Sequence, residues 1–194
     1  MLLALCGWQG WRHWQLRPVQ QPDGVLVAEL PQQSATALTP FQHLGATFTP
    51  RAAYRLRGRL LARTRYHWRR DAYFAPFDFA IGWGVMSDNR VIDALEFNPA
   101  NRFFLLRWQN QPPVPEAELF TSLSNNHVIA ATAEVERSLG RMRPGQVVEL
   151  QGELVDIDTP GGWHWRTSLI RTDNGGGACE VFFVRHAQII LKGH

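Results

Sequence analysis

Cysteine, lysine and long apolar runs are what this chain has least of, and each scarcity closes off a class of protein. Only Cys6 and Cys179 occur among the 194 residues, far apart, so neither a disulfide framework nor a CxxC zinc knuckle can be built. Lys192 is the only lysine, and the basic charge is therefore almost entirely arginine. The formal net charge of +3 permits a polyanionic partner without requiring one. No run of about 20 apolar residues, the length a membrane-spanning helix needs, is present. The glycines of GGGACE are followed by no Lys-Ser/Thr pair, and Ser168 in RTSLI sits in no G-x-S-x-G elbow. His127, His164, Cys179 and His186 fall at no metal-ligand spacing, so neither a cofactor nor a metal is expected.

With 45% hydrophobic residues the chain can bury a full core. Residues 1–17 open on MLLALCGW and continue with Trp11, Arg12, Trp14 and Arg17, the pattern of a partial membrane anchor or signal remnant. Leu5 ahead of Cys6 does not fit a lipidation site. Residues 18–50, punctuated by Pro18, Pro22, Pro31, Pro40 and Pro50, read as a tether. Residues 51–191 then form one domain.

Within that domain AAYRLRGRLLARTRYHWRR alternates with period two. Tyr54, Leu56, Leu60, Tyr66 and Trp68 fall on one face, and Arg55, Arg57, Arg59, Arg63 and Arg65 on the other. Ser87 is the expected cap of a short helix carrying Val91, Ile92 and Leu95, Pro115 opens a second, and Thr132 caps a third with Val135, Leu139 and Met142 inward. NRFFLLRWQ, PGQVVELQGELVDID, WHWRTSLIR and CEVFFVRHAQIIL read as strands. The pattern L-x-G-x-L, a turn, then aromatic-His-Trp-Arg occurs twice, at Leu56 to Arg69 and at Leu150 to Arg166. Glycines inside strands mark bends, so both copies are expected as bent hairpins, with Glu149 and Glu153 placed to pair the arginines. The expected fold is a β-rich α+β domain: a curled or barrel-like antiparallel sheet of six or seven strands with two or three short inserted helices, OB-like by analogy.

GWGVMSD (82 to 88), NNHVI (125 to 129) and WHWRTSLIRTDNGGGACE (163 to 180) together resemble a family of small uncharacterised bacterial proteins with WGxMSD, NxHxI and RxDxGxGACE motifs. The likeness covers roughly residues 50 to 184. It implies an N-terminal hydrophobic anchor, a Pro-rich tether and a domain held at the inner membrane in the periplasm, and it implies no activity.

Two kinds of site follow. A catalytic one would use Cys179 as nucleophile, His127 or His164 as base, and Asp173 or Glu180 as orienter, because a thiolate needs a neighbouring base or cation. The blander reading of RTDNGGGACE is a tight turn ahead of a strand carrying a buried thiol. A binding site would use the arginine face, Arg57, Arg59 and Arg63, with the aromatics Trp68, Trp163 and Trp165, which can stack rings. The leading expectation is a binding or scaffolding module of the bacterial envelope, with a small hydrolase or transferase as alternative. Its partners would be an anionic polymer, a lipid head group or an acidic protein surface; nucleic acid is not expected outside the cytoplasm.

Overall fold

The computed structural model describes residues 18–68, 70–170 and 178–193. At its centre are five strands, β3 (Ala46–Arg65), β4 (Phe77–Gly82), β7 (Leu123–Ala130), β8 (Val147–Asp158) and β10 (Glu180–Leu191). They close a ring in the order β3-β4-β7-β10-β8, with β8 returning to β3. Every pair is antiparallel except β7 with β10, which is parallel. The ring is the curled, barrel-like sheet expected, OB-like by analogy, and the β-rich α+β expectation holds. β1 (Gln32–Ser34) and β2 (Phe41–His43) pair along β3, and β9 (His164–Trp165) extends β8.

Alternation along the strands fills the ring. Leu56, Leu60, Phe79, Ile81, Leu150 and Phe182 are fully buried in one cluster, to which Val135, Leu139 and Met142 in and just after α4 (Ala133–Arg141) also belong. The Thr132 hydroxyl accepts from the Val135 N–H at 3.2 Å, the expected cap. Three shorter helices stand at chain turns: α1 (Arg70–Phe74), α2 (Asn89–Ile92) and α3 (Glu116–Thr121). Asp88, not Ser87, caps α2, accepting from the Arg90 N–H. Leu95, expected in that helix, instead opens β5 (Leu95–Ala100), which forms a separate hairpin with β6 (Phe103–Trp108).

Residues 18–34 are not a free tether. Val19 and Val27 are buried, the Val19 N–H donates to Pro144 O at 2.8 Å, and the Leu26 and Val27 N–H groups donate to Ser87 Oγ. The Gly24 N–H reaches Asp88 Oδ1 at 3.1 Å. Ser87, read as a helix cap, and Asp88 therefore clamp a strap. Pro50 likewise lies within β3, opposite Val155.

The arginine face is structural as well. Arg55 pairs with the buried Glu149 at 2.7 Å, and Arg57 lies opposite Glu149 in register. Glu153 pairs with Arg185. Arg59 is 5% exposed and donates to Ser87 O. Between Leu60 and Ala62 the pairing with β4 slips by one residue, and a one-residue bulge exchanges the faces of a strand. Arg63 is thereby turned over Phe77 and Phe79, and its Nη1 donates to Gly140 O and Met142 O at the end of α4. The same slip ends the apolar face early: Tyr66 and Trp68 lie beyond β3, and Trp68 is 96% exposed. The first copy of the repeat is thus no hairpin, whereas the second is, as β8 and β9. Arg63→Gln should lower stability by about 2 kcal/mol, because two carbonyls at the end of α4 lose a charged donor. Unfolding at the wild-type midpoint in urea would contradict this placement.

Candidate functional site

The loops around one mouth of the barrel enclose a cavity of about 530 Å³. Arg70 and Asp71 reach it from the β3–β4 connection, Arg102 and Phe103 from the β5–β6 hairpin, and His127 from β7. The β8–β10 connection contributes residues 163–166 and Cys179. Connections between the first and second and between the fourth and fifth barrel strands are where oligomer-binding barrels take their ligands.

Arg102 is the centre of the arrangement. Asn101 and Arg102 form the two-residue turn of the β5–β6 hairpin, both with positive φ, at 47° and 74°. A bulky residue held in the left-handed region is uncommon, and such strain concentrates at functional sites. The turn delivers a guanidinium that is 5% exposed. Its Nη2 donates to Ala75 O and lies 3.0 Å from Asp78 Oδ1, while Nε faces Asp71 Oδ2 at 3.4 Å without hydrogen-bond geometry. Nη1 has no partner among the described residues. The guanidinium is flanked by two aromatic rings, Tyr66 at 4.5 Å and Trp165 at 5.5 Å.

Asp78 is wholly buried in β4, directly opposite His127 in the β4–β7 register. Its Oδ1 lies 2.8 Å from His127 Nδ1. Burial raises the Asp78 pKa, against hydrogen bonding to His127 and the Arg102 charge, which draw it down. The bond fixes the orientation of the imidazole ring. Trp165 tilts over the His127 ring at 4.7 Å, Trp163 meets Trp165 edge-on at 5.8 Å, and Phe74 stacks on Trp163 at 5.5 Å and 8°. Arg166 is held by Asp158 at 2.6 Å, whereas exposed Arg70 has no ion pair among the described residues.

Cys179 lines the same cavity, and its sulfur receives Asn125 Nδ2 at 3.0 Å. Burial is the largest influence on the thiol and pushes its pKa up to about 12. A thiolate nucleophile is disfavoured there. Glu180 is buried at the start of β10, opposite Asn126, and does not line the cavity. Asp173 lies outside the described residues.

Of the residues expected from sequence, the structure gathers His127, His164, Cys179, Trp163 and Trp165, and leaves Arg57, Arg59, Arg63 and Trp68 elsewhere. Asp78, Arg102 and Arg70 were not among the expectations. A lone aspartate in the otherwise apolar FAPFDFAIGWG carried a signal, since a charge inside a buried strand requires partners. The buried Asn126 donates to Phe79 O and Ser124 O. Among the described residues no cluster of three or more His, Cys, Asp or Glu residues is placed to hold a metal. The chain matches no protein-family model, no curated protein and no solved structure.

Proposed function

We propose that this chain is a ligand-binding module of the bacterial envelope, tethered through its N-terminal residues, whose barrel mouth takes an anionic polymer carrying rings. The observation that carries the reading is the lining of the cavity, where Trp163 and Trp165 stand beside the exposed Arg70 and Arg166 over the buried Arg102. Trp163 and Trp165 give rings a surface, and Arg70 adds a rim charge. Burial of Cys179, which raises its thiol pKa, disfavours the Cys/His/acid alternative. A concave site suits a polymer unit or a head group better than a flat acidic protein surface. No helix among the described residues is long and apolar enough to cross a membrane, and tethering rests on the composition of residues 1–17.

The reading is tested by following the indole N–H resonances of Trp163 and Trp165 while titrating heparin, polyglutamate, polyphosphate and an oligothymidylate. At least one polyanion is expected to shift both resonances, with affinity reduced several-fold in Arg70→Gln. Resonances unmoved by all four would remove the binding reading.

A further inference from the structure

We infer that the turn between β3 and α1 is a second contact surface, which seats the domain on an anionic phospholipid bilayer through Trp68 and Tyr73, with Arg70 against the lipid phosphates. This surface is independent of what the cavity takes, because neither Trp68 nor Tyr73 lines it.

The turn is held at both ends. The Tyr66 N–H donates to Pro76 O at 2.8 Å, and the Tyr66 ring covers the Arg102 guanidinium at 4.5 Å. On the far side the Ala75 N–H donates to Asp71 O at 2.9 Å, and Phe74 stacks on Trp163. Between these fixed points Trp68 is 96% exposed and Tyr73 62% exposed. An indole left almost wholly in water forgoes the burial that Trp83 receives in the same chain. A bilayer can restore that burial without any movement of the turn.

The chemistry of the turn matches a lipid head-group layer. Indole and phenol each combine an apolar body with a polar tip, and both settle where hydrocarbon meets head groups. The charge is of one sign: residues 63–70 read RTRYHWRR, four arginines and no acid. Arg63 is taken up by carbonyls at the end of α4 and Arg65 faces Glu136, but exposed Arg70 has no ion pair among the described residues. A cation beside projecting aromatics binds anionic membranes by the sum of buried apolar area and electrostatic attraction.

A ring-bearing polymer and a protein partner fit this turn less well. Rings stack best on a platform whose plane is already fixed, as Phe74 and His127 fix those of Trp163 and Trp165. Trp68 has no ring contact among the described residues, and fixing its plane would cost rotamer entropy. A head-group layer demands no particular plane. An aromatic anchor of a protein interface lies within a packed patch that excludes water around it, whereas a side chain 96% exposed stands clear of its neighbours.

The experiment uses the whole chain with vesicles of phosphatidylcholine, alone or with about a quarter phosphatidylglycerol. Trp68→Ala is expected to lower partition onto the anionic vesicles about 5- to 10-fold, and added salt to weaken the unaltered chain. The variant should melt with the unaltered chain, since so exposed a side chain contributes little to the fold. Its Trp163 and Trp165 resonances should respond to polyanions as before, which separates this surface from the cavity. Where residues 1–17 hold both chains on every vesicle, quenching by dibrominated lipid decides. The difference in fluorescence between the unaltered chain and Trp68→Phe isolates Trp68, and it should be quenched on anionic vesicles and much less on neutral ones. A Trp68 signal left unquenched, or quenched equally on both, overturns the inference and leaves the cavity reading to its own titration.

Discussion

Gly152→Val should leave no cooperatively folded domain at 25 °C. A Cβ at Gly152 would lie 2.0 Å from Phe183 O, 3.0 Å from Phe183 C and 3.1 Å from Arg185 N. All three are backbone atoms of the neighbouring strand, so no side-chain rotation can relieve the contact. The approach is close because the β8–β10 register shifts between Val184 and His186, opposite Gly152 and Gln151. Such a bulge bends its strand and brings backbone against backbone. Gly152 also pairs with Tyr54 of β3, so it sits where β8 bridges two neighbours of the closed ring. Pushing β10 away there opens the barrel rather than fraying an edge. The expected loss is about 5 kcal/mol, comparable to the whole stability of a small domain. Gly161 in the β8–β9 turn faces open space, with nothing within 4 Å of the position a Cβ would take, and Gly161→Ala is the neutral control. Circular dichroism melts decide the matter: a Gly152→Val transition within a few degrees of the Gly161→Ala transition would refute the close-approach argument. Gly58→Val belongs to the same class with a lesser effect, since its nearest contact, Ile81 Cγ2 at 2.5 Å, is a side chain, although Gly82 O follows at 2.7 Å.

The two glycines show what local pattern can and cannot reveal. L-x-G-x-L inside a β-rich stretch marks a close backbone approach wherever it occurs, and both approaches exist. What pattern could not supply was the single-residue slip at Leu61, because a bulge is set by the pairing partner, β4, which lies beyond a turn and a helix. That slip turned Arg63 from an exposed charge into a brace for α4 and took Trp68 off the apolar face. Period-two reasoning assigns faces correctly up to the bulge, at Tyr54, Leu56 and Leu60, and inverts them after it. The strap failed for a related reason: proline-rich composition reports missing helix and sheet, not missing contacts, and Val19 and Val27 find burial without either.

The site divides in the same way. His127, Trp163, Trp165 and Cys179 are residue types whose chemistry is visible in a sequence, and all four line the cavity. Their companions are legible only after folding. Asp78 and His127 are 49 positions apart and meet because β4 and β7 are paired in one particular register. Arg102 resembles any other arginine of this arginine-rich chain until the β5–β6 turn drives it inward. Composition put the binding chemistry on the arginines of β3, but Arg55 there has an acidic partner, as Arg185 has on β10, and the arginines that line the cavity come from other elements.

Cys179 decides between the two functional classes, and its thiol should be strongly protected in the folded protein. In a Cys6→Ser background, reaction with a disulfide reagent at about pH 7.5 should run at least about 100-fold slower folded than in denaturant. Two physical terms set that expectation. A thiol whose pKa is pushed up to about 12 holds about 10³-fold less thiolate at neutral pH than an ordinary one, and only the thiolate attacks. Burial adds a steric barrier, for Cys179 is 6% exposed and its sulfur is already held by Asn125. Asn125→Ala removes that hydrogen bond, which favours the thiolate, so the variant should not react faster unless the cavity itself opens. The rate should also climb about tenfold per pH unit between roughly pH 7 and 9, the slope of a group titrating far above that range. A folded-state rate equal to or above the denatured one, or a plateau below about pH 8, would mean that His127 or Arg102 activates the sulfur after all. Nucleophilic chemistry at this cavity would then displace binding as the reading, with Asp78 orienting the base across the 2.8 Å bond to His127.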